Sequence, residues 1–199
     1  MIKDNMILQL RNLQLFLNGS ELASLRLEYY KVYGQLLESP PEKLINLVDI
    51  EENVEALNKE YLDLFIRPNV KYVPSCGSDY RKKRKGKKGK VLHFLTGNAR
   101  EDKKPDDHFL IGLNYMRFLI EREKRQWQRR NYLMAVNLLH QQQDYLLGHL
   151  NWLPDLCAEI QKKTTSRFYH DLASNLENFF QLEKLLLEII LLKRAGVLN

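Results

Sequence analysis

The chain has little that could support covalent or redox chemistry. It holds only two cysteines, Cys76 and Cys157, far apart in sequence. They give neither a disulfide framework nor a zinc spacing, and so sparse a count fits a reducing compartment. The histidines His93, His108, His140, His149 and His170 show no metal-ligand spacing with carboxylates or cysteines. No nucleophile motif occurs, and the segment Lys87 to Lys90 lacks the glycine spacing and terminal Ser/Thr of a P-loop. The sequence therefore predicts no enzyme, no metal and no resident cofactor. Apolar runs fall short of the ~20 residues that cross a bilayer, and Asp4 sits where a secretory leader carries only positive charge. A cytoplasmic protein without stable membrane insertion is expected. Strand-like alternation and repeats of 20–50 residues are also missing, which leaves an all-helical chain.

Helical patterning is nearly continuous. Residues 5–17 are leucine-rich and predict a first helix. Ser20 is placed to cap a second, whose face is Leu22, Leu25, Tyr29, Tyr33 and Leu36, ending at Ser39-Pro40-Pro41. A short helix follows with Leu44, Leu47 and Val48. Asp49 with Glu52 resembles a capping box for the next, which carries Val54, Leu57, Tyr61, Leu64 and Phe65 and stops before Pro68. Pro105, Asp106 and Asp107 suit a helix start, with Phe109, Leu113, Met116 and Ile120 as the buried stripe. Further helices are expected over 131–148, with Tyr132, Val136, Leu139 and Leu146 inward, over 155–163 after a corner at Trp152 to Pro154, and from Ser166 onward through Phe168, Leu172, Leu176, Phe179 and Leu186. One domain spanning 1–199 accommodates them.

The stretch from Glu60 to Leu110 interrupts this pattern, and a polar, proline-marked interruption is where an all-helical protein usually carries its binding residues. Within it, residues 81–90 hold eight basic side chains and no acidic one. The remaining 23 basic residues face 25 acidic ones, so the body of the protein is mildly acidic although the whole chain is +6. Arg81, Lys82, Lys83, Arg84, Lys85, Lys87, Lys88 and Lys90 are candidate anion ligands, for RNA, a nucleotide or an anionic cofactor; dense like charge also reads as a solvated loop. Arg122, Arg125 and Arg129 form a second basic stripe, expected on an exposed helix face.

The order Tyr61-x-x-Leu64-Phe65, then Pro74 with Ser78-x-Tyr80, then Pro105-x-Asp107-His108, followed by His149-Leu-x-Trp152-Leu-Pro154, resembles the TorD/DmsD/NarJ family of redox-enzyme maturation chaperones over about residues 20–185. Position 112, four after the motif histidine, is glycine where many members have a carboxylate. The resemblance implies a single compact helical domain of the TorD-like type. It also implies binding of the twin-arginine signal peptide, or of the apo catalytic subunit, of a molybdenum-containing oxidoreductase until its cofactor is inserted. The partner would be that precursor; monomer and dimer both remain open.

Such a ligand offers two guanidinium groups and an apolar stretch, which calls for carboxylates beside an apolar groove. Asp106 and Asp107 are the candidate carboxylates, and Tyr61, Leu64, Phe65, Tyr80 and Phe109 the candidate apolar wall. His108 is a candidate hydrogen-bonding or charge-switching group. Each has a purely structural counterpart: Leu64 and Phe65 as core, the aspartates as helix-start residues, His108 as a satisfied structural histidine, Cys76 as an inert loop thiol.

Overall fold

The computed structural model describes residues 18–43, 52–81 and 107–194. Seven α-helices and no strand are found among them: α1 (Gly19–Glu38), α2 (Val54–Tyr61), α3 (Gly77–Arg81), α4 (Phe109–Gln128), α5 (Tyr132–Gly148), α6 (Leu153–Lys163) and α7 (Arg167–Arg194). The expected helices over 5–17 and around Leu44 lie outside the described residues.

Several helix boundaries are set by side chains other than those the pattern suggested. The cap of α1 is Asn18, not Ser20. Its Oδ1 accepts from the N–H of Ser20 and of Glu21 at 3.0 Å, and Glu21 Oε2 accepts the Asn18 N–H at 2.9 Å. Both halves of a capping box are thus present two residues earlier than expected. Asn53 caps α2 through Ala56 N–H at 3.0 Å, which frees Glu52 to act elsewhere. Its carboxylate accepts from Phe168 N–H at 2.5 Å and Ser166 Oγ at 3.2 Å, holding the first turn of α7. α2 continues into a π-helical turn, Leu62–Ile66, and stops at Arg67 before Pro68.

α1 packs on α4, α4 on α5, α5 on α7, and α6 on α7. The expected stripe of α4 is buried throughout: Phe109, Leu113, Met116 and Ile120. The inward face of α5 differs from the expectation. Ala135, Leu138, Leu139, Gln142, Tyr145 and Leu146 point inward, so Leu139 and Leu146 are buried as expected, while Tyr132, at the helix start beside the turn at Arg130 (φ 57°), is 55% exposed. Arg122, Arg125 and Arg129 are exposed, as expected.

One buried polar cluster joins four helices. The Arg26 guanidinium of α1 pairs with Glu123 of α4 at 2.9 Å and with Glu183 of α7 at 2.6 Å, and it also donates to Gln142 of α5. Gln142 Nε2 donates to Glu123 at 3.0 Å, and Trp127 Nε1 to the other Glu123 oxygen at 2.8 Å. Burial alone would push the Arg26 pKa down; Glu183 and Glu123 outweigh it and hold the guanidinium firmly charged. Arg26→Met leaves two buried carboxylates without a cation and should lower stability by about 3–5 kcal/mol. The urea midpoint measures this, and adding Glu123→Gln and Glu183→Gln should restore part of the loss.

Candidate functional site

The interrupted region folds into a joint between α2, α3 and α4. Cys76 and His108 form an isolated antiparallel bridge, with Phe109 N–H on Ser75 O at 2.9 Å and Gly77 N–H on Asp107 O at 3.0 Å. This bridge keeps His108 extended, so α4 begins at Phe109 and not at the expected Pro105 to Asp107. Asp107 turns back instead, accepting the Ser78 N–H at 2.6 Å and holding the start of α3. His108 caps α4, its Nδ1 accepting from Leu110 N–H at 3.2 Å while its ring stacks on Phe109. Asp106 and the segment Lys82, Lys83, Arg84, Lys85, Lys87, Lys88 and Lys90 lie outside the described residues; Arg81 is the last residue of α3.

The aromatic residues singled out in sequence tie this joint together. Tyr61 Oη donates to Glu38 O at 2.7 Å, and its ring meets Phe65, which meets Tyr169 of α7. Tyr80 Oη donates to Pro74 O at 2.9 Å, and its ring stacks on Trp152 with centroids 5.3 Å apart. Leu64 is fully buried, Phe109 is 2% exposed, and Tyr61 and Tyr80 are 7% exposed each. Phe65, Asp107 and His108 are half-buried. In this conformation Tyr61, Leu64, Tyr80 and Phe109 offer almost no surface to a ligand, because their rings and methyls are already spent on neighbouring helices. Gly112 has a steric role: a Cβ there would lie 2.5 Å from Leu150 Cδ2, in the buried contact between α4 and the end of α5. Cys76 is inert by its surroundings, since burial, then Asp107 and Asp79, push its thiol up to about 11.

The open apolar groove lies elsewhere, between α1 and α7, and encloses about 720 Å³. One wall is Leu22, Leu25, Tyr29, Val32, Tyr33 and Leu36 of α1; the other is Phe168, Leu172, Phe179, Leu182 and Leu186 of α7. Both walls follow the three-four spacing of a helix face. The two helices run antiparallel here. Arg26 meets Glu183, Tyr30 meets Phe179, and Tyr33 Oη donates to Asn175 O at 3.2 Å. Phe179 forms the floor, its ring centroid 5.5 Å from that of Tyr29 and 5.1 Å from that of Tyr33. Leu25, Tyr29 and Val32 remain 38–48% exposed. Polar groups edge the groove: Asp171 with Arg167, and Glu52 at the end near Phe168. None of Tyr61, Leu64, Phe65, Tyr80, Asp107, His108 or Phe109 lines it. The signal was present in the sequence. The stripe Leu22–Leu25–Tyr29–Tyr33–Leu36 reads as a core face; its ends Leu22 and Leu36 are buried with Ala23, Arg26, Tyr30 and Leu37, while its middle, Leu25 and Tyr29, is exposed.

A second polar junction braces the groove's far end. Glu60 of α2 accepts from Lys71 Nζ at 2.8 Å, Thr165 N–H at 2.7 Å and Thr164 Oγ1 at 2.8 Å. Burial pushes its carboxyl up, but these hydrogen bonds and the Lys71 charge outweigh that and leave it below the ordinary value. A depressed folded pKa adds stability above the unfolded value and loses it as pH falls. Glu60→Gln should therefore be less stable than the parent at pH 7, and urea midpoints of the two should converge as pH drops below about 4.

Among the described residues, no group of three or more His, Cys, Asp or Glu side chains could hold a metal ion, and no helix is long and apolar enough to cross a membrane. Comparison with known proteins gives no significant match to a curated protein or to a solved structure. The family model described as nitrate reductase delta subunit matches residues 35–158. That span includes α2 to α5, the whole Cys76–His108 joint and the corner at Trp152. The chain belongs to the nitrate reductase delta subunit (NarJ) family, within the TorD/DmsD/NarJ group of non-catalytic chaperones that mature molybdenum-containing oxidoreductases.

Proposed function

We propose that the protein holds the N-terminal leader of a molybdenum-containing oxidoreductase, as a twin-arginine signal or as the equivalent segment of an apo catalytic subunit, in the groove between α1 and α7. It would act in the cytoplasm before cofactor insertion. The observation that carries this reading is an open groove of about 720 Å³ with two apolar helical walls and carboxylates at its edge. A leader's apolar stretch fits as a helix laid between helices. Burying one leucine- or phenylalanine-sized side chain contributes about 1.5–3 kcal/mol, so two or three anchors suffice for a transient, exchangeable complex. The arginine pair lies at the leader's polar end, where Asp171 and Glu52 supply acceptors at the groove.

The Asp107–His108 corner belongs to the same proposal as a second contact. Asp107 uses one oxygen on Ser78, and a carboxylate has about four acceptor sites. Replacing both Asp107 and His108 by alanine should weaken client binding while the helical circular dichroism stays unchanged; an unchanged affinity removes the corner from the site.

Titration with synthetic leaders, with and without the arginine pair, tests the main reading. Saturable binding that weakens when the pair is replaced by alanine is expected. A leader carrying a photoreactive group in its apolar stretch should label 22–36 and 168–186. Absence of saturable binding to any leader or mature subunit sinks the proposal, and labelling confined to other segments moves the site.

A further inference from the structure

The groove between α1 and α7 differs at its two ends. The contacts of Arg26 with Glu183, Tyr30 with Phe179 and Tyr33 with Asn175 set an antiparallel register. By that register Leu36 lies at the start of α7, and Leu22 lies beside Leu186. We infer that a client helix occupies the groove in one direction only, parallel to α7, with its arginine pair at Asp171 and its apolar stretch running on toward Leu22 and Leu186. This rests on the client site proposed above and adds to it a polarity and a specificity-determining residue.

The α7 rim grades from polar to apolar. Asp171, Asn175 and Asn178 follow one another at helical spacing, line the groove and are exposed. Leu182 and Leu186 carry the same face to the other end. The rim thus passes from carboxylate through amide to hydrocarbon. Glu52 and Arg167 also lie at the polar end. Toward the apolar end, the charged groups lining the groove are Arg26 and Glu183, each 2% exposed. Both Glu183 oxygens already accept from Arg26. A guanidinium entering there meets a carboxylate that is spent, and burying it without a partner is costly.

Asp171 is open to exchange. Its Oδ2 lies 3.5 Å from Arg167 Nε and its Oδ1 3.7 Å from His170 Nδ1, and the Asp171 and Arg167 side chains are 56% and 81% exposed. Contacts so long and so exposed contribute little, and a client guanidinium replaces them with a shorter, two-pronged pair. Glu52 is held more firmly, because its Oε1 accepts from Phe168 N–H and Ser166 Oγ. It supplies charge, while Asp171 supplies the exchangeable partner. From Asp171 to Leu186, α7 rises about 22 Å, room for about fifteen residues of client helix. In a leader the arginine pair precedes the apolar stretch. A pair at Asp171 therefore sends the chain toward Leu186, and the mature subunit leaves the groove beside Leu22.

Two synthetic leaders, each an arginine pair followed by a leucine-rich stretch, test the direction on the whole chain. One carries benzoylphenylalanine next to the pair, the other at the last apolar position, and the cross-linked segments are identified by mass. The first should label 33–36 or 168–175, and the second 22–25 or 182–186. The reverse pattern, or equal labelling of both ends by each peptide, overturns the single direction and leaves the groove as client site. Labelling of neither set overturns the direction together with the groove reading. Asp171→Asn gives an independent measurement, since this exposed side chain can change while both apolar walls stay intact. The variant should bind the arginine-pair leader about two- to fivefold more weakly than the parent does, and a leader with alanine in place of the pair equally well. Unchanged affinity for the arginine-pair leader, or an equal loss for both leaders, overturns the assignment of Asp171.

Discussion

The Arg26 cluster is the interaction on which the rest of the architecture depends. One guanidinium, fully enclosed, reaches side chains of three other helices, two of them carboxylates. A buried pair gains little over apolar packing, so its value here is geometric. A guanidinium presents its donors in a fixed planar fork, and satisfying that fork sets the mutual rotation and spacing of α1, α4, α5 and α7. Trp127, bonded to the same Glu123, also lies 2.6 Å from where a Cβ on Gly19 would be, so the start of α1 must be glycine to seat there. The cluster therefore fixes where α1 begins and how it is turned.

The groove follows from that constraint. Once Arg26 and Tyr30 face inward, the residues a third of a turn away must face outward, and Leu25, Tyr29 and Val32 are among them. Arg26 and Glu183 line the groove as well as the core, so the polar cluster ties together the two helices whose apolar faces form the walls. The described fold leaves this apolar surface uncovered. Exposed apolar surface of this kind is characteristic of interaction sites.

The motif residues of the interrupted region hold the local fold together. Tyr61, Tyr80, Asp107 and His108 each make a hydrogen bond to main-chain atoms that no helix ladder supplies. They build the joint in which α2 and α3 meet α4. Glu52 and Glu60 do the same for the turn leading into α7, using acidic side chains on backbone N–H groups at a helix start, where the dipole favours negative charge. The family pattern thus identifies the fold through its joints, while the open apolar surface lies on longer helices whose pattern is generic.

Local periodicity and capping chemistry were enough to determine that this chain is helical, roughly where α1, α4, α5, α6 and α7 lie, and that the stripe of α4 is core. Those properties depend on residues three or four apart, and neighbours in sequence decide them. The ordered motifs likewise carried the family. Which residues of α1 are fully buried was not decided locally, because Leu25 and Tyr29 are as acceptable on an inward helix face as Arg26 and Tyr30. Only the pairing of Arg26 with residues 97 and 157 positions away chose between them. The same holds for Asp107, whose carboxylate acts on a backbone N–H 29 residues earlier, and for Glu52, whose target lies 116 residues later. Long-range satisfaction of buried or terminal polar groups is a property of the assembled fold, and it is what placed the groove.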